Sequence, residues 1–466
     1  MQASRGVLLV ALALLAIAAL RDLGRLGEAA PWRQLYDFAD FYCAGAALDA
    51  GADPYRYEPL HDCEHVVNRS AVFRADPHRV IPAPLPPYDF PPFMLLARSS
   101  FAFARTIDAL AIVAAIAAAI CGFWFLGVPL ELAASALVLS AGYVLLNAGQ
   151  VVPFALVALV ACGVALARRR EGIAGVLAAL TAIEPHLGLP VCVALVAWVP
   201  RSRVPIAGMV LLLAVVSLVT TGGAEIVEYL TRVLPAQAAA ETGYVYQYSL
   251  TYLMHGFGAS ASAALVAGEF SYIAMLVLGV WLGRRLAEKL GRPELLAYLP
   301  AACSIVAGPY VHMVDLGFAI PAALVLSTNL HGRSKDVAAF AVCLLAVPWI
   351  PVWIAKKLFL AALFVVAAIL LRLRIAATAS VAIFASIAAI IYVFELFPPA
   401  PFAGTTAAFS PSALAQQAWS QSVAQLANPS ALWLAIKLPT WIALLSIIAL
   451  SFYALRDPRI VERSSP

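Results

Sequence analysis

Read for its alternation of apolar and polar positions, the chain is a series of long apolar blocks, rich in Ala, Leu, Val and Ile, separated by short polar turns. Blocks of roughly 20 residues are what a helix needs to cross a hydrocarbon core about 30 Å thick while satisfying its own backbone hydrogen bonds. The strict period of two that a lipid-facing barrel strand needs is missing. The pattern predicts an all-α polytopic membrane protein, with spans at 6–20, 106–126, 129–146, 150–167, 172–183, 186–199, 204–220, 262–282, 295–308, 314–328, 337–354, 357–371, 376–394 and 431–454. That is about 12–14 transmembrane helices, because Pro185 makes 172–199 either two short crossings or one broken helix. The segment 6–20 is read as a retained first helix rather than a cleaved leader, since Pro31 follows the only small-residue cleavage candidate, "EAA".

Short cytoplasmic loops are enriched in Lys and Arg. Placing the N-terminus inside puts Arg168–Arg170, Arg201 and Arg203, Arg284, Arg285, Lys289 and Arg292, Arg333 and Lys335, Arg372 and Arg374, and Arg456, Arg459 and Arg463 on one side. Among the short basic clusters only Lys356 and Lys357 fall on the other. Both termini are then cytoplasmic, and the polar segments 21–105, 221–261 and 395–430 are extracytoplasmic, as are the turns "NAGQ", "IEPHLG" and "GPYVHMVD". Of the seven histidines, His61, His65, His78, His186, His255 and His312 follow them outward, so any chemistry is expected there.

Composition agrees: 63% of residues are hydrophobic and 12% charged, against about 45–50% and about 25% in soluble domains. The net charge of +4 is accounted for by topology and calls for no nucleic-acid partner. Five of the seven cysteines lie in spans as small hydrophobes. Cys43 and Cys63 share the first outer loop, where the compartment permits a disulfide, although nothing in the sequence fixes their distance. The sequon Asn68-Arg69-Ser70 would matter only in a eukaryotic secretory pathway. No GxxxxGK[ST] loop, HExxH motif or CxxC pair occurs.

The first outer loop holds eleven of the 26 acidic residues and opens on "LYDFADFYCAGAAL". Asp37 and Asp40 there share a helical face, so their charges repel unless a cation or basic residue intervenes. Each is a candidate general base, and each would equally serve to decorate an interfacial helix. Two ligands are too few to argue a metal, and no cofactor is expected. The prolines from Pro82 to Pro92 exclude a long helix, leaving a cap of short helices lying on the membrane. Elsewhere Gln150 begins a span, Glu184 and His186 flank Pro185, and His312 and Asp315 occupy a similar break. Ionisable groups at such depth face a cavity or a partner. Their common side points to a polar cavity opening outward. The run "YVYQYSLTYLMHG" brings tyrosines and His255 to the second outer loop, either as an interfacial aromatic belt or as rings on which a sugar stacks.

These residues resemble glycosyltransferase family 87, the polyprenol-phosphate-mannose-dependent mannosyltransferases of the GT-C class. The resemblance lies in "DFADFYCAGAALDAGADPY", "YDFPPFMLLARS", "NAGQVVPFALVALVACGVAL", "GVLAALTAIEPHLGLPVCVAL" and "GPYVHMVDLGFAIPAAL", in that order over about residues 35 to 330. It implies a GT-C-like fold and transfer of a hexose, mannose by the family's habit, from a polyprenyl-phosphate donor to a glycan or glycolipid acceptor at the outer face of the plasma membrane. Asp37 matches the family's general base, Asp40 is outside that pattern, and His312 matches a histidine expected near the donor phosphate. The substrate-binding candidates are Asp40, Tyr42, Tyr55, Tyr88, Gln150, Glu184, His186, His255, His312 and Asp315. Two positions depart from the pattern: Phe90 stands where relatives have Tyr, and Glu184 where many have Lys, with His186 or first-loop arginines as substitutes for the lost cation. The chief rival is a flippase or transporter of lipid-linked sugars, which would use the same buried ionisable residues but commonly shows internal repeats not seen here. A glycan ligase would need basic residues in a large late loop, and a scaffold would leave the polar cluster without a reason.

Overall fold

The computed structural model describes residues 13, 16, 17, 20, 35–68, 73, 76–354, 358–397, 409–426 and 431–457. Most of the expected first span, together with Arg69, Ser70, Lys356, Lys357, Arg459 and Arg463, lies outside them. The described residues are all-helical with no strand, relieved only by the isolated bridges Arg56–Leu414 and Gln247–His312.

Among the described residues six helices are long and apolar enough to cross a membrane: Phe101–Phe125, Leu130–Ala148, Pro200–Thr220, Ala261–Leu290, Ala377–Phe394 and Ala431–Arg456. Six other apolar helices, Val152–Ala167, Glu171–Ile183, Pro185–Trp198, Leu295–Val306, Met313–Asn329 and Phe359–Arg372, have only 10–17 residues. At about 1.5 Å per residue they measure roughly 15–26 Å, short of a core about 30 Å thick. The sequence pattern therefore places the elements well, and among the described residues six of them are long enough for a full crossing. The expected span 337–354 is also divided, into Gly332–Ala346 and Trp349–Ile354, because Pro348 has no N–H to continue the ladder.

Pro185 resolves the 172–199 alternative. Cys192 Sγ lies 3.3 Å from the Ala178 carbonyl, and a side chain on Gly175 would meet Ser202. Glu171–Leu180 and Pro185–Trp198 thus run antiparallel, as a hairpin of two short helices whose tip holds Glu184 and His186. The tip between Leu295–Val306 and Ile320–Asn329 holds His312 and Asp315, and the tip between Val144–Ala148 and Val152–Ala167 holds Gln150.

Over these tips sits a cap of Phe38–Asp49, Tyr57–Val67 and Phe90–Ala97. Gly45 lets the first and third of these helices cross closely, since a Cβ there would lie 2.5 Å from the Phe93 carbonyl carbon. A disulfide joins Cys43 to Cys63, their Cα atoms 5.6 Å apart. Segments distant in sequence complete the cap. Arg56 ion-pairs with Glu228 at 2.8 Å and Asp53 at 2.7 Å, Tyr55 stacks on Tyr229, and Tyr57 N–H donates to Ala413 O at 2.8 Å while Ala415 N–H donates to Tyr55 O at 2.9 Å. By contrast the most apolar stretches of Pro200–Thr220 and Ala261–Leu290 are only 11% and 17% buried by the protein, leaving apolar flanks such as Val210, Leu211, Phe270 and Ile273 that suit a bilayer.

The disulfide closes a loop with a sequence separation of 20 residues. Non-reducing peptide mapping is expected to find Cys43 and Cys63 linked, and their joint replacement by serine should cost about 2–4 kcal/mol of stability, read by thermal unfolding.

Candidate active site

Asp37 is placed by the backbone. Its N–H donates to Ala148 O at 2.7 Å, and Tyr36 N–H donates to Asn147 O at 3.3 Å, so the helix tip hands Asp37 to its neighbour: Gln150 Nε2 donates to Asp37 Oδ2. Gly149 makes the fit. Its φ is +74°, and a Cβ there would sit 2.9 Å from Phe38 Cβ and 3.0 Å from Leu35 Cβ, a conformation and a clearance that only glycine meets without strain.

The other two tips meet each other. His186 Nε2 lies 3.2 Å from Asp315 Oδ2 and Nδ1 lies 3.7 Å from Glu184 Oε2, so each ring nitrogen faces a carboxylate. Asp315 Oδ2 also accepts from His312 N–H at 2.7 Å, which closes the turn after the helix break. Tyr272 Oη donates to His186 O at 2.6 Å, fixing the base of the hairpin tip.

Aromatic rings enclose His312: Tyr244 at 5.7 Å and Tyr310 at 6.4 Å are stacked, and Tyr246 is tilted at 6.1 Å. His186 meets Tyr310 edge-on at 5.5 Å. Behind them Glu241, 5% exposed, accepts from Gln237 Nε2 at 2.8 Å, Trp419 Nε1 at 3.0 Å and Gln247 Nε2 at 2.5 Å. Gln247 Oε1 in turn accepts from Val311 N–H at 3.0 Å. Three well-separated stretches, 241–247, 310–315 and Trp419, are therefore one hydrogen-bonded unit.

Burial governs the charges. It raises the Asp37 carboxyl to about 6, with the Gln150 hydrogen bond pulling the other way. Burial likewise lifts Glu241 to about 7 against its hydrogen bonds from Gln247 and Trp419, and the charges of Asp37 and Asp315 add to the rise. Asp40 is fully enclosed, and neither of its oxygens has a hydrogen-bond partner among the described residues. Burial pushes its carboxyl well up, then the charges of Glu64 and Asp37, against the opposing field of Arg79. Arg79 is thus the basic residue whose field reaches Asp40 and Glu64, and it also lies over the Trp419 ring at 5.5 Å.

Of the sequence-derived candidates, the structure brings Asp37 and Gln150 together at one tip and Glu184, His186, His312 and Asp315 together at the other two. Asp40 lies in the cap behind Asp37. The remaining candidates are engaged elsewhere: Tyr42 Oη donates to Ser99 O at 2.8 Å, Tyr55 Oη to Leu85 O at 2.9 Å, and Tyr88 Oη to Ala182 O at 2.5 Å, where it ties the cap to the Glu184 tip. His255 faces the Ala259 carbonyl at the end of its own helix. Sequence reading passed over Glu241, Arg79 and Tyr310. Glu241 opens the aromatic run, and an acid beside such a run was the available signal; Arg79 carried none. Among the described residues no group of three or more His, Cys, Asp or Glu side chains is arranged to hold a metal ion. A cleft of about 440 Å³ lies away from this cluster, between Phe90–Ala97 and Arg203–Thr220, and is lined by Pro91, Met94, Leu95, Val215, Val216 and Val219 among others.

The chain was compared with protein-family models, curated proteins and solved structures, and matches none of them. The site is therefore defined by its geometry: a buried carboxylate poised near neutrality, two carboxylate-flanked or ring-flanked histidines, and a wall of tyrosines.

Because burial holds the folded-state pKa of Asp37 above its ordinary value of 3.8, the folded chain binds that proton more tightly than the unfolded one. The group adds stability at low pH and withdraws it as the pH rises through about 6. Asp37→Asn should raise the midpoint of thermal unfolding at pH 8, with the gain gone by about pH 4, the unfolded-carboxyl range. Gly149→Ala should lower that midpoint at both pH values, through a stability loss of about 1 kcal/mol or more.

Proposed function

We propose that the chain is a membrane glycosyltransferase that moves a hexose, mannose by the family resemblance, from a polyprenyl-phosphate donor to a glycan or glycolipid acceptor, with inversion. Asp37 is the general base. The acceptor hydroxyl gives its proton to Asp37 as its oxygen bonds to the anomeric carbon, and the bond from that carbon to the phosphate oxygen breaks on the opposite face, releasing polyprenyl phosphate. The observation that carries this reading is the setting of Asp37: a carboxyl held near 6, oriented by Gln150, on the same face of the bundle as His186 and His312. A base titrating near the working pH is the most effective kind. Histidine N–H groups suit the leaving phosphate, and Tyr244, Tyr246 and Tyr310 offer ring faces to a sugar. A lipid-borne donor would explain a site set at the ends of short helices.

The site is assigned to the extracytoplasmic face of the plasma membrane, with both termini inside. The side of the basic loops supports this, and so does the cap disulfide, which persists in oxidising compartments. A second reading, a flippase of lipid-linked sugars, draws on the His186–Asp315–Glu184 group, since ionisable residues at membrane depth often serve transport.

The test uses purified full-length protein in lipid vesicles with polyprenyl-phosphate-mannose and a glycolipid acceptor. Mannose release and transfer are expected in the wild type, with Asp37→Asn slower by about 10²–10⁴-fold. The acid limb of the rate profile should fall near pH 6, and Gln150→Leu, by removing the bond that lowers the Asp37 pKa, should move that limb to higher pH. Equal turnover by wild type and Asp37→Asn would remove Asp37 from the mechanism. Movement of intact donor across the bilayer without cleavage would assign the flippase.

A further inference from the structure

The helix Ala431–Arg456 brings a buried lysine to the back of the site. Lys437 is fully enclosed, 0% exposed. Its Nζ donates to the Gln247 carbonyl at 2.5 Å and lies 3.2 Å from the ring centroid of Tyr252 and 5.3 Å from that of Tyr248. Its near partners are a carbonyl and two ring faces instead of a carboxylate. Enclosing an ammonium on those terms carries a desolvation cost that cation–π contact offsets only in part, so a leucine or methionine would serve packing better.

The place it holds is specific. One turn along the same helix, Trp441 Nε1 donates to Tyr248 O at 3.1 Å. Two consecutive carbonyls, 247 and 248, are thereby fixed from one helix face. The segment they belong to pairs with the His312 turn: Tyr248 N–H donates to Val311 O at 2.7 Å, Met313 N–H donates to Tyr246 O at 2.9 Å, and Gln247 bridges to His312. His312 is at the centre of that junction, and Tyr246 beside it forms part of its ring enclosure.

We propose that Lys437 is a positioning residue for the site: its ammonium tethers the 246–248 segment and, through the junction with 311–313, sets both the place and the charge environment of His312. The role in turnover rests on the glycosyl-transfer reading; the tether itself does not. The electrostatics run the same way. Burial holds His312 down to about 4, with Lys437 and then His186 adding to the fall and Asp315 opposing it; its remaining neighbours are the rings of Tyr244, Tyr246 and Tyr310. With the ammonium gone, one positive charge that disfavours the imidazolium is gone too.

The experiment compares the full chain in lipid nanodiscs with Lys437→Met and Lys437→Arg, by two mass-spectrometric readouts that need no activity. Histidine C2-hydrogen exchange against pH gives the His312 midpoint, and backbone amide exchange follows peptides covering 244–252 and 308–316. Lys437→Met is expected to raise the His312 midpoint by about one unit and to speed amide exchange in those two peptides about tenfold, with other helices little changed. Lys437→Arg, which keeps the charge, should hold the midpoint near the wild-type value. An unmoved midpoint in Lys437→Met, or exchange that rises evenly along the chain, overturns the proposal. Should Lys437→Met fail to fold, Trp441→Phe carries the test: faster exchange confined to the same two peptides supports the tether, and unchanged exchange there refutes it. These shifts in a protein that transfers no sugar would sink the glycosyl-transfer reading and leave the tether standing.

Discussion

A helix that stops before it has crossed the hydrocarbon must do something with its end. In water the last carbonyls and first N–H groups of a helix are hydrated, but at membrane depth each needs a partner inside the protein. Several helices in this chain are short in this way, and their tips lie together under the cap. The partners they recruit are part of the candidate site: Tyr88 Oη donates to Ala182 O and Met313 N–H donates to Tyr246 O, while the carbonyls of 147 and 148, which end the longer helix Leu130–Ala148, accept from the N–H groups of 36 and 37. The polar residues gathered there follow from that requirement, and the cap exists to supply them.

The same geometry explains why two aspartates three residues apart have different standing. Asp37 is held at the tip and has one hydrogen bond, from Gln150, that keeps its carboxylate accessible to titration near neutrality. Asp40 points into the cap, where Glu64 and Arg79 share its field and its own oxygens have no hydrogen-bond partner. A carboxyl with no donor and a like charge nearby favours its proton, and so cannot readily accept another. Burial and hydrogen bonding, more than sequence spacing, distinguish Asp37 from its neighbour.

Much of this was legible in the sequence. Helix positions follow the apolar blocks to within a few residues, because a hydrophobic stretch bounded by Pro, Gly or Arg has little else to do. The breaks "IEPHLG" and "GPYVHMVD" were recognisable as sites since ionisable groups there are costly. What remained hidden depends on three-dimensional closure. Nothing in the spacing of Glu171–Leu180 and Pro185–Trp198 says that they fold back on each other until Cys192 is seen against Ala178. Tyr42, Tyr55 and Tyr88 stand among the substrate-binding candidates, yet their hydroxyls are spent on backbone carbonyls within the cap or between it and the bundle. Glu241 and Arg79 resemble ordinary loop charges until Trp419, more than 150 residues away in sequence, is found against both.

The junction between the cap and the bundle also has a timetable. Asp37 is bracketed by residues made within the first third of the chain, whereas Arg56 reaches Glu228 and pairs with Leu414, and the carbonyls of 247 and 248 receive donors only from Lys437 and Trp441. A ribosome feeding this chain into a membrane would therefore release Asp37 early and the frame that supports the candidate site last. For most of its synthesis the nascent protein holds buried acids without the contacts that fix them, so insertion of the helix Ala431–Arg456 is the event that locks the assembly.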